Sequence, residues 1–198
     1  MKNTTIVIAI ALVAISFAAC NSGNKPPNNN SDTTQGTGQA NTAAVSTPAP
    51  DAKATPSIKG IVAGYLSMKN ALANDNGDAA AVAGNSMVEA FQKFNKSALT
   101  TEQKKAYEDV EDDAREHAEH IGKNASNIPH QREHFDMLSK DLYELVKTFG
   151  AGQPLYQDFC PMYNDGKGAT WLSETKEIKN PYLGKKMTTC GRLKEELK

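Results

Sequence analysis

The stretch TEQKKAYEDVEDDAREHAEHIGKNASNIPHQREHFDMLSKDLYELVKTFG, residues 101–150, holds two amphipathic helices and the joint between them. Tyr107, Val110, Ala114 and Ile121 recur at helical spacing from a start at Thr100 or Thr101 to about Asn124. Glu108, Asp109, Glu111, Asp112 and Asp113 occupy the opposite, solvated face. Asn127-Ile128-Pro129 reads as a new start with proline in the first turn, where its missing N–H costs nothing. Phe135, Leu138, Leu142, Leu145 and Phe149 then repeat at three and four until Gly150 stops the helix.

Two further helices precede this pair. Ser57 can cap one that carries Ile58, Ile61, Val62, Tyr65, Leu66 and Leu72, with Asn76-Gly77 at its end. Asp78 can cap the next, which runs to about Asn95 and offers Val82, Met87, Val88, Phe91 and Phe94 to a core. Gly84 lowers the propensity of that helix and points to a close helix contact. Four helices with short connections predict a mainly α fold, an up-down bundle over 57–150. Beyond it, Pro154, Pro161 and Pro181 among several glycines leave an irregular tail of short strands and turns over 151–198. Together they make one domain with a single core.

Upstream of residue 57 the texture is different. Between Asn21 and Pro56 the chain is almost wholly Asn, Thr, Ala, Pro, Ser, Gly and Gln, which cannot bury enough surface to fold. As a flexible coil this tether spans roughly 30–35 Å. Before it, Lys2 and an apolar run from Ile6 to Phe17 lead to Ala18-Ala19-Cys20. The run is too short for a membrane span and has the form of a secretory signal over 1–20. Small residues before a cysteine resemble the lipobox of bacterial lipoproteins, which implies lipidation at Cys20, anchoring to the membrane and a periplasmic location. The balance of 22 Lys plus Arg against 23 Asp plus Glu argues against nucleic acid as a partner.

Once Cys20 is assigned to the lipid, two of the three cysteines remain, each near a methionine: Cys160-Pro161-Met162 and Met187-Thr188-Thr189-Cys190. Pro161 holds Cys160 extended, and residues two apart in an extended segment share a face, so both sulfurs of the tripeptide can point together. Thiolate and thioether are soft donors that suit Cu(I) and Ag(I). In an oxidising compartment the same two cysteines can instead form a disulfide. That bridge would close a loop of about 30 residues and contribute roughly 3–4 kcal/mol.

The four histidines are spaced His117-x2-His120 and His130-x3-His134, each pair on one helical face. Across an antiparallel hairpin, His120 comes level with His130 and His134, which would make an imidazole cluster suited to zinc, copper, iron or nickel. The plainer alternative keeps His117 in the apolar stripe and the other three at its charged margins. Trp171 reads as a cover that packs the tail on the bundle, and Asn180-Pro181-Tyr182-Leu183-Gly184 as a turn holding the Met187–Cys190 segment.

Cys160-Pro161-Met162, Gly168-Ala169-x-Trp171-Leu172 and Ile178-x-Asn180-Pro181-Tyr182-x-Gly184-x-x-Met187-x-x-Cys190-Gly191 together resemble the bacterial family called domain of unknown function 3347. Gln131-Arg132-x-x-Phe135 and Leu138-Ser139 correspond as well, so the resemblance runs over the whole folded part. Members similar to this chain occur as small exported lipoproteins and as modules fused to periplasmic adaptors of heavy-metal efflux pumps. The resemblance implies copper or silver handling through Cys160, Met162, Met187 and Cys190, with His120 as a further ligand. The rival expectation is a disulfide-stapled interaction module of the envelope that needs no metal. Catalysis is not expected, because the chain lacks a phosphate loop, a Gly-x-Ser-x-Gly elbow and a His-Glu-x-x-His pattern.

Overall fold

A computed structural model describes residues 57–198; the expected export signal over 1–20, Cys20 and the expected tether over 21–56 lie outside the described residues. Polar side chains set where the helices begin. Asn76 accepts a hydrogen bond from the Ala79 amide, so α2 starts at Gly77, one residue before the expected Asp78 cap. Thr100 and Gln103 bond reciprocally in a capping box ahead of α3. Asn127 accepts from the His130 amide ahead of α4, with Pro129 in the first turn. The resulting helices are α1 (Lys59–Ala73), α2 (Gly77–Gln92), α3 (Thr101–Lys123) and α4 (Ile128–Phe149).

Neighbours in sequence pack as neighbours in space, which gives the expected four-helix bundle. Tyr65 of α1 stacks on Phe135 of α4 with ring centroids 4.8 Å apart, closing the bundle across its middle. At one end Tyr107 is enclosed by Phe91, Phe94 and Phe149. Gly84 lets α2 approach α3 closely: a Cβ there would lie 2.7 Å from the Ala118 carbonyl oxygen and 2.9 Å from the Gly122 amide. Val82 corrects one expectation. It is 67% exposed, because α2 meets its neighbours through Ala80, Ala83, Gly84, Met87 and Phe91 instead.

The tail is a three-stranded antiparallel sheet with its first strand in the centre: β1 (Leu155–Cys160), β2 (Ala169–Ser173) and β3 (Arg192–Leu197), in the order β2-β1-β3. β2 lies on α4 and α1, and Trp171 is fully buried in the shared core, which contributes about 2–3 kcal/mol by area. Polar contacts tie the layers together. The Leu172 amide donates to the Tyr65 hydroxyl at 3.0 Å, and that hydroxyl sits 2.7 Å from Ser139. Arg132 donates to the carbonyls of Pro181 and Leu72 and pairs with Asp75, fastening the Asn180–Gly184 turn to the bundle. Within that turn Asn180 Oδ1 accepts from the Tyr182 and Leu183 amides, while its Nδ2 donates to the Cys190 carbonyl. The turn therefore does hold the segment leading to Cys190.

Candidate metal centre

α3 and α4 are joined by the short connection around Asn124–Asn127, so the end of one helix faces the start of the other. Three histidines converge there. One ligand nitrogen each of His120, His130 and His134 lies within 4.8 Å of the other two, the only such group of His, Cys, Asp or Glu among the described residues. His134 is the hub: its ring stacks on His120 at 4.2 Å and meets His130 edge-on at 4.6 Å. His117, one turn further along α3, places its Nδ1 3.1 Å from the Nδ1 of His134. The hairpin arrangement expected from the spacing is realised, and His130 and His134 are cluster members rather than solvated margins.

Neighbouring groups leave ligand atoms free. Glu133 lies 3.4 Å from His130 Nδ1, and the His134 Nδ1 is engaged with His117, so both rings retain Nε2. Glu116 lies 3.7 Å from His120 Nε2. Burial, then the charges of His120, His130 and His117, hold the His134 pKa down to about 4. Burial likewise lowers His117. At neutral pH His134 is therefore a neutral imidazole, the form that binds metal. Three imidazole nitrogens on a tetrahedral ion at about 2.1 Å stand roughly 3.4 Å apart, so small rotations from the observed separation close the shell.

Of the sulfur residues expected at a soft-metal site, the two cysteines come together. Cys160 ends β1 in the core and Cys190 immediately precedes β3, with their Sγ atoms 2.7 Å apart. Two thiolates sharing one tetrahedral ion at about 2.3 Å stand roughly 3.8 Å apart, so the pair is closer than joint coordination sets it. Burial, then the adjacent Cys160, pushes the Cys190 thiol up to about 11, away from the thiolate that binds metal. Met162 contributes its backbone amide to Cys190, while the side chains of Met162 and Met187 are 59% and 40% exposed. His120 stands with the imidazoles and forms no ligand group with the cysteines, because it belongs to the α3–α4 end and they belong to the sheet.

Two buried ionisable residues were not legible as such from sequence. Lys69 is fully buried and spends its ammonium on Glu174 at 2.8 Å and Ser173 at 3.4 Å. Its spacing from Tyr65 and Leu72, four and three residues, places it on the apolar stripe and is the signal that could have found it. Asp158 on β1 is equally buried, and neither carboxylate oxygen has a hydrogen-bond partner among the described residues.

The profile of the family described as protein of unknown function, DUF3347, matches residues 61–154. Over those residues the chain is similar to this family. The matched DUF3347 segment runs from within the first turn of α1 through α4 and stops just before β1, so it contains all four histidines and neither Cys160 nor Cys190. The resemblance read from the tail motif thus lies outside the matched segment. No curated protein and no solved structure matches the chain. Among the described residues, no helix is long and apolar enough to cross a membrane.

Proposed function

We propose that the chain is an exported, lipid-anchored metal-binding module that holds a d-block cation on His120, His130 and His134. The observation carrying this reading is the convergence of three imidazole nitrogens within 4.8 Å at the joined end of the α3–α4 pair. Nearby Glu116 and Glu133 add negative charge that favours a bound cation. Anchoring at Cys20 and the tether would hold the module on the periplasmic side of a membrane, placed to sequester metal or pass it to the adaptor of an efflux pump. The module carries no catalytic role in this reading.

Titrating the chain with Zn(II), Cu(II) and Ni(II), with metal content measured after desalting, tests the site. One ion should be retained per chain, and His134→Ala should weaken binding by about tenfold or more. Equal affinity in that variant would remove the imidazole site.

A second reading keeps Cu(I) or Ag(I) on Cys160, Met162, Met187 and Cys190; the two thiols already meet, and an ion between them would part them to roughly 3.8 Å. It requires both cysteines to be reduced in the native protein. A mass deficit of two hydrogens in protein isolated without reductant would reject it and favour the stapled module.

A further inference from the structure

The imidazole cluster is the broad end of a longer strip of donors along the α3–α4 seam. On α4, Met137 follows His134 by three residues and precedes Asp141 by four, the intervals that stack side chains on one helical face. On α3, Asp113 and His117 stand four apart on the flank that meets it: His117 reaches His134, and Asp113 lies close enough to Asp141 and to His117 for its charge to act on both.

Met137 is unusual in this setting. It is 37% exposed, whereas Leu138, Leu142 and Leu145 of the same helix are buried, so it does not fill the core. Side chains three apart on a helix have Cβ atoms about 5–6 Å apart. The flexible thioether can span that interval to an ion held on the free Nε2 of His134.

We propose that Met137 is a thioether ligand of the imidazole site, which makes it a mixed nitrogen and sulfur site selective for soft monovalent ions of the Cu(I) and Ag(I) class over Zn(II). The inference rests on the imidazole reading above. Three imidazoles alone suit zinc and copper comparably, and the added thioether contributes to binding a soft ion and little to binding Zn(II). The soft-metal character then comes from a sulfur on the bundle, independent of the state of Cys160 and Cys190.

The test is site-resolved. The full chain, labelled at its methionine methyl groups and histidine rings, is titrated with Ag(I) and separately with Zn(II) and followed by NMR. Ag(I) is carried to several equivalents, so that thiols cannot hide the site by taking the first. The Met137 methyl, assigned with Met137→Leu, should shift together with the rings of His120, His130 and His134 under Ag(I) and stay in place under Zn(II). Met137→Leu should weaken Ag(I) binding at the rings by about tenfold while changing Zn(II) binding little. Rings that move under Ag(I) with a stationary Met137 methyl overturn the proposal and leave the imidazole site standing. Rings that respond to neither ion remove both.

Discussion

Replacing Asp158 with asparagine should abolish a large part of the pH dependence of stability. Asp158 lies on the central strand opposite Trp171, wholly buried, with both oxygens unpartnered. Burial pushes its pKa up from an ordinary 3.8 to about 7, and Lys69 only partly offsets this, being itself bonded to Glu174 and Ser173. Between those two values the folded chain keeps a proton that the unfolded chain has released, so stability falls as pH rises through this window and levels off above it. Each pH unit inside the window costs about 1.4 kcal/mol, so going from pH 5 to pH 8 costs of the order of 3 kcal/mol through this one group. The carboxamide introduced by Asp158→Asn copies the neutral acid without the titration. Urea denaturation followed by far-UV circular dichroism, at both pH values, gives the comparison: the wild type should lose roughly 3 kcal/mol more than Asp158→Asn over the interval. Other titrating groups are common to both proteins and cancel. An equal loss in the two would mean that Asp158 is ionised in the fold and held by Lys69, contrary to the reasoning.

Gly84→Ala should lower stability by about 1–3 kcal/mol, because the new methyl would press on the backbone of Ala118 and Gly122 and force α2 from α3; thermal denaturation measures it. If Cys160 and Cys190 are bridged, reduction should cost roughly 3–4 kcal/mol of stability without altering metal binding at the imidazoles, read by denaturation and titration of the same preparation.

Legibility tracked how local the determinants were. The α3–α4 pair could be placed because each helix carries its own start signal and a strong apolar stripe, and the short joint leaves the hairpin as the way to bury both stripes. Histidine positions then followed from spacing alone. α2 was harder. Counting large apolar residues puts Val82 in the core, yet alanines and Gly84 make the contacts, since close approach of two backbones rewards small side chains. β3, Arg-Leu-Lys-Glu-Glu-Leu, has little strand character in its sequence; it is an edge strand whose pairing with β1 is set by the backbone, and its only buried side chain is Leu197. The partnership of His120 departs from expectation for a related reason: the sulfur motif and the histidines lie on elements whose relative placement only the tertiary fold decides.

That placement depends on α4, which serves three surroundings with three faces. Phe135, Leu138, Leu142 and Leu145 fill the bundle core. Arg132, Ser139 and Tyr143 reach the tail, through Pro181, Tyr182 and Glu195 respectively. His130, His134, Met137 and Asp141 are left along the seam with α3, where neither core packing nor sheet docking specifies the residue type. Leu or Lys would serve that flank as structure at least as well, and a histidine cluster with a partly exposed methionine contributes little to stability that such residues would not. These side chains, gathered on one flank by helical spacing, are the ones the proposed ion would use. The same division of faces separates the two donor sets: changes along the seam should leave the tail intact, and loss of the cysteine pair should leave the imidazoles in place.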